Sequence, residues 1–109
     1  MTATFEVLAE ESRRHILDLL AARERPVGDL VASLPLSQPA VSKHLRVLRE
    51  AGLVQSRTEG QQRIYRVSPE PLREVDEWLA PYRRQWAGHL NALERHLEIM
   101  EASEGETWA

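Results

Sequence analysis

The side chains in this sequence that can do chemistry are amides, hydroxyls and cations gathered near the middle of the chain. Gln38, Pro39, Ser42, Lys43 and Arg46 fall at spacings that put them on one exposed face of a helix. Val41, Leu45 and Leu48, at i, i+4 and i+7, commit the opposite side to a core. Glutamine suits two-pronged hydrogen bonding to adenine, lysine and arginine suit guanine or phosphate, and a serine hydroxyl serves either. A helix start adds free backbone N–H groups for a phosphate. Further along, Arg57, Gln61, Gln62 and Arg63 cluster around a loop bearing Gly60, fit to grip a backbone or enter a minor groove. The chemistry implied is base reading and phosphate binding on double-stranded DNA.

Charge is distributed to match. The 109-residue chain carries 14 basic and 17 acidic residues, a net of −3, which taken whole would disfavour an anionic partner. Residues 37–66, however, hold Lys43, Arg46, Arg49, Arg57, Arg63 and Arg66 against only Glu50 and Glu59, a net of +4. The flanks are acidic, and the local field decides what docks. Other chemistry is excluded. There is no cysteine, hence no disulfide, thiolate metal site or thiol nucleophile. No nucleophile elbow, phosphate-cradling glycine loop or pocket-forming carboxylate pair occurs, so an enzyme is not expected and no cofactor is implied. No run approaches the ~20 apolar residues of a membrane span, and no basic stretch precedes an apolar one at the N-terminus. The expectation is a cytoplasmic chain without a membrane partner, folded as a single domain over 1–109.

Those side chains need a frame, and apolar periodicity supplies one that is mainly α with a small β part (α+β). A short helix is expected over 3–9 with Phe5 and Leu8 three apart. A second runs from 11 to about 23 on Ile16, Leu17 and Leu20, with Glu10 and Glu11 at the end favoured by the helix dipole. Pro26 opens the first turn of a third, whose Val27, Leu30, Val31 and Leu34 form one buried stripe that Pro35 closes. Ser37 caps the next helix and stands with the DNA-facing residues; Pro39 fits its first turn, and Gly52 ends it in the left-handed conformation. Two short helices joined through 35–37 make a helix-turn-helix over about 26–51. Segments 53–57 and 63–67 then read as the strands of a hairpin, a wing over about 53–67, separated by a five-residue polar loop. His44 flanks the reading face, either touching a phosphate or packing beneath the turn.

The longest periodic segment begins at residue 70. Leu72, Val75, Leu79, Tyr82, Trp86, Leu90, Leu93, Leu97 and Met100 step by threes and fours, nearly a heptad seam with a stutter at Trp86. Pro81 inside it predicts a kink or short break near residue 80, and 102–109 reads as a frayed tail. A monomer of this size has too few helices to cover the seam. Leu79, Tyr82, Trp86, Leu90, Leu93 and Leu97, joined by Phe5 and Leu8, are therefore expected at a homodimer interface built from segments 3–9 and 70–101. Trp78, Tyr82 and Trp86 read first as packing in a two-chain core and second as an aromatic-lined ligand pocket. His89 and His96 lie two turns apart, about 10 Å, too far for one metal within a chain. No metal site is expected within a subunit.

The run Leu36-Ser37-Gln38-Pro39-Ala40-Val41-Ser42-Lys43-His44-Leu45-Arg46-Val47-Leu48-Arg49-Glu50-Ala51-Gly52-Leu53-Val54 resembles the recognition-helix signature of ArsR-type winged helix-turn-helix repressors. The stretch from Ser12-Arg13-Arg14-His15-Ile16-Leu17 to Leu20 is similar to that family's first core helix, and Ile64-Tyr65-Arg66-Val67 to the end of its wing. The resemblance covers about residues 5–70. It implies a homodimer joined through its first and last helices, binding a palindromic operator and repressing transcription until an effector releases it. Position by position it implies DNA reading by Gln38, Pro39, Ser42, Lys43 and His44, with the wing contributing 57–63. Many members of the family sense metals through a cysteine pair on the helix before the recognition helix. Here that helix reads Val27-Gly28-Asp29-Leu30-Val31-Ala32-Ser33-Leu34, so the thiolate arsenic, cadmium or lead site is missing. Other members hold zinc on the last helix, but the corresponding pairs here are incomplete: Asp76 with Trp78, His89 with Ala92, His96 with Ile99. The reading is thus a cysteine-free, homodimeric DNA-binding regulator, with no effector specified. Its alternatives are a winged helix whose basic face meets an acidic protein, and a metal sensor with a cross-dimer histidine and carboxylate site.

Overall fold

The computed structural model describes residues 1–108, with side chains as far as Glu101. It contains two compact units, Met1–Val75 and Asp76–Ala109. The first is built from α1 (Thr2–Leu8), α2 (Glu11–Ala22), β1 (Arg25–Pro26), α3 (Val27–Ser33), α4 (Gln38–Glu50), β2 (Val54–Glu59) and β3 (Gln62–Val67), and it ends on the first residues of α5 (Glu70–Trp108). The apolar stripes read from the sequence close on one core. Ile16 and Leu20 of α2, Leu30 of α3, and Val41, Leu45 and Leu48 of α4 are at most 3% exposed.

Local chemistry bounds α4 at both ends. Ser37 Oγ accepts the Ala40 N–H at 3.3 Å, and Pro39 occupies the first turn, where an N–H would lack a helical partner. At the far end Gly52 takes φ +76°. Its N–H donates to the Arg49 carbonyl at 3.0 Å, and the Leu53 N–H donates to the Leu48 carbonyl at 2.9 Å. This double closure satisfies carbonyls that the helix leaves open and turns the chain so that Leu53 joins Leu48 in the core, both 0% exposed.

The hairpin is longer than the sequence suggests. β2 and β3 pair antiparallel from Val54↔Val67 to Glu59↔Gln62, so the expected five-residue loop shrinks to the two-residue turn Gly60-Gln61. The ladder needs only backbone groups, so polar residues 58, 59 and 62 extend it without burial. Gly60 has φ +62° and, among the described residues, no non-glycine residue has a positive φ, the pattern of a tight turn whose twist matches the strands it joins. A third strand was not foreseen. β1 pairs with β3 through Arg25↔Tyr65 and Pro26↔Ile64, giving the order β1-β3-β2. Pro26, expected in the first turn of α3, is the last residue of β1 and the cap of α3; a proline, lacking an N–H, suits an edge strand. Two residues are too short to leave a periodic signal.

Within the second unit, α5 runs past Pro81 as one helix, so of the kink or short break expected near residue 80 the break does not occur. Pro81 removes one bond, to the Glu77 carbonyl, and both residues are exposed, so that carbonyl is open to solvent. The helix also continues to Trp108, through most of the tail expected over 102–109; the side chains of that tail lie outside the described residues. Tyr82, Trp86, Leu90, Leu93, Leu97 and Met100 are exposed in the single chain, while Leu79 is half-buried. The Trp78 and Tyr82 rings meet at 5.3 Å between centroids. In the first unit Phe5 is exposed, and Leu8 is half-buried against the core.

Candidate nucleic-acid interface

The helix-turn-helix and the hairpin enclose an open groove of about 800 Å³. Along one side α4 presents Gln38, Pro39, Ser42, Lys43 and Arg46, with Arg49 a turn further on. Ser42, Arg46 and Arg49 each follow one of the buried Val41, Leu45 and Leu48 by one residue, a rotation of about 100° that carries them out of the core. Val27, Gly28 and Asp29 at the start of α3 and Gln61, Gln62 and Arg63 at the wing tip line the rest.

The electrostatics of the groove are one-sided. Among the described residues no carboxylate pairs with Lys43, Arg46, Arg49 or Arg63. Asp29, the acid that lines the groove, has Arg23 3.6 Å away to offset it. Several cations elsewhere are occupied, Arg13 with Glu10 at 2.9 Å, Arg73 with Glu70 at 3.5 Å and Arg83 with Asp76, while Arg84 and Arg95 of α5 have no carboxylate partner among the described residues. A groove lined by unopposed cations, amides and one hydroxyl is suited to bind a polyanion and to read hydrogen-bonding edges along it.

The residues expected to face DNA separate into two groups. Gln38, Pro39, Ser42, Lys43, Arg46, Gln61, Gln62 and Arg63 are brought together here. Ser37, His44 and Arg57 are not. The Ser37 hydroxyl is engaged in the cap. His44 is turned toward α2: its side chain is 13% exposed, Nε2 lies 3.5 Å from Glu10 Oε1, and Nδ1 is buried without a hydrogen-bond partner. Arg57 reaches the other way. Its guanidinium donates to both oxygens of Glu24, at 2.8 and 2.6 Å, and to Glu59 at 3.2 Å. That hydrogen bond holds the Glu24 carboxyl below its ordinary value of 4.5 and raises the already strong base Arg57 further. Arg49 is a groove cation outside the set expected to face DNA. Its signal was present, since Ser42, Arg46 and Arg49 repeat at i, i+4 and i+7 beside the apolar stripe. Among the described residues no three of histidine, aspartate and glutamate gather to hold a metal.

Residues 10–56, from the cap of α2 into β2, match the family of bacterial regulatory proteins called arsR. The arsenic resistance transcriptional regulator ArsR1 of Pseudomonas putida is 41% identical over 90 residues, which cover 71% of this chain and 70% of that protein. The chain belongs to the ArsR family. The HTH-type transcriptional regulator Rv2034 of Mycobacterium tuberculosis is 44% identical over 68 residues, 62% of this ArsR-family chain, which spans 64% of that relative's own length. A solved relative is similar in three dimensions: the homodimeric winged helix-turn-helix DNA-binding domain of Mb0332 from Mycobacterium bovis. It superposes with a TM-score of 0.64 at 28% identity, covering 81% of this chain and 82% of that one. The winged helix-turn-helix expected from the α4 signature is therefore the fold, with β1 added to the wing.

Proposed function

We propose that this ArsR-family chain is a homodimeric, sequence-specific DNA-binding regulator that represses transcription from an inverted-repeat operator. The observation that carries the reading is the groove in which Lys43, Arg46, Arg49 and Arg63 stand around Gln38 and Ser42, none of the four paired with a carboxylate among the described residues. In this reading α4 enters the major groove, Gln38, Ser42, Lys43 and Arg46 meet base edges, and Arg49 meets phosphate. Gln61, Gln62 and Arg63 lie on the flanking backbone or in the minor groove. Pairing of two copies is supported by the apolar stripe from Tyr82 to Met100, exposed in one chain, and by the homodimeric state of the M. bovis relative. A two-fold would set the recognition helices one turn of duplex apart, about 34 Å, and so call for a palindromic site. No described helix is long and apolar enough to cross a membrane, which fits a place in the cytoplasm beside DNA.

The test is selection of a duplex from a random pool, followed by titration of that duplex and a shuffled control. The double variant Gln38→Ala with Lys43→Ala is expected to lose about ten- to hundred-fold in affinity for the selected duplex while binding the shuffled one little changed. Equal binding of both duplexes by the wild type sinks the proposal.

A further inference from the structure

The outer face of the three-stranded sheet carries a bridge that the DNA-reading groove does not use. Directly opposed residues in a sheet share a face, so the register Arg57↔Ile64 and Ile64↔Pro26 puts these three side chains in one row across β2, β3 and β1. Glu24 precedes Pro26 by two positions and returns to that same side. The Arg57 guanidinium spans the row and takes Glu24 in a two-pronged pair at 2.8 and 2.6 Å, while Glu59 steadies it from its own strand at 3.2 Å. Ile64 lies in the row that this bridge crosses. It is only 8% exposed although it stands outside the main core cluster.

A two-stranded ribbon held at its base is free to twist and tilt. The backbone tie from β3 to the body is only two residues long, through Arg25 and Pro26. The Arg57–Glu24 pair is a second tie, running from the outer edge strand to the chain that leaves α2. A planar guanidinium meeting a carboxylate with two parallel bonds fixes orientation as well as distance. We propose that Glu24 and Arg57 form a strap that sets the angle of the wing, and that both act on DNA as positioning residues by aiming Gln61, Gln62 and Arg63. The inference rests on the DNA-binding reading above. It removes Arg57 from the set of phosphate contacts, because its charge is met by two carboxylates.

Glu24→Gln separates the two roles by sign. If Arg57 were a phosphate contact, deleting the neighbouring negative charge would tighten DNA binding. A strap predicts the opposite. Glu24→Gln and Arg57→Gln should each weaken binding to the selected duplex by about five-fold, and the double variant should be no worse than either. The slope of affinity against salt should stay that of the wild type, since no phosphate contact is lost. Hydroxyl-radical protection should fade where the wing lies and persist under α4. In the free protein, amide 15N relaxation should show the tip 60–63 gaining motion, with the thermal midpoint nearly unchanged. Binding by Glu24→Gln equal to or tighter than wild type, with an unaltered tip, overturns the strap. A wild type that fails to distinguish the selected duplex from its shuffled control overturns the DNA reading beneath it and the positioning role together.

Discussion

Ser37 shows how one side chain can answer two expectations. Its hydroxyl stands among residues that suit DNA, yet it accepts the Ala40 N–H at 3.3 Å and so closes the open end of α4. Replacing an N-cap serine with alanine costs about 1 kcal/mol, and aspartate keeps the acceptor. Ser37→Ala is therefore expected to lower stability in urea unfolding by about that much, with Ser37→Asp near wild type. Glu24 makes a different prediction. Its folded-state carboxyl lies below 4.5 because Arg57 donates to it. A depressed carboxylate contributes fully above its unfolded value, and the contribution is lost as pH falls through the lowered, folded one. Order at the wing tip should thus be constant from about pH 5 to 8 and decline only in stronger acid, as amide relaxation measured across that range will show. His44 pairs with Glu10 across elements at 3.5 Å, which favours packing over the phosphate contact as its role.

The closure of α4 is the feature on which the placement of the wing depends. Gly52 at φ +76° starts the turn that sends Leu53 into the core and β2 away from the helix. A Cβ there would meet only Pro71 Cγ at 3.7 Å, an ordinary contact, so the cost of Gly52→Ala is the backbone conformation itself. A loss of about 1 kcal/mol is expected in urea titration, and a much larger one would mean that the turn had changed. Leu48 tests the same junction from the packing side. It is 0% exposed, and Leu48→Ala should cost about 2–5 kcal/mol by opening a cavity where α4 and Leu53 meet. The legibility of these elements varied with their length. α2 and α4 are long enough for three apolar positions to repeat, whereas β1, with two residues, has no repeat to display.

For the assembled molecule, the groove's four unopposed cations set a salt dependence. If the two assigned to the backbone, Arg49 and Arg63, each meet one phosphate in each subunit, log affinity should fall with log salt at a slope of about −4, and Arg49→Gln should reduce its magnitude by about two. The apolar stripe on α5 bears on assembly. Leu90 and Leu93 are 59% and 53% exposed in one chain, more than a stable apolar seam tolerates in water. Leu90→Glu with Leu93→Glu is expected to convert dimers to monomers in sedimentation equilibrium and to abolish binding to the selected duplex. Monomers that still bind it specifically would break the link between pairing and operator recognition.

The helix-turn-helix and the exposed polar face of α4 were determined by the sequence alone, because both follow from periodicity within single helices, where residues three and four apart must share a side. Arg49 was legible by the same rule. The destination of Arg57 was not: strand register, which depends on the full β1-β3-β2 sheet, put Glu24 within reach of it, 33 residues away in sequence. The burial of His44 beside Glu10 and the pairing of β1 with β3 were likewise decided in three dimensions. Local pattern encodes which face of an element is apolar. It does not encode which distant charge that element will meet, since a contact between remote residues exists only after the core has fixed the distance between them.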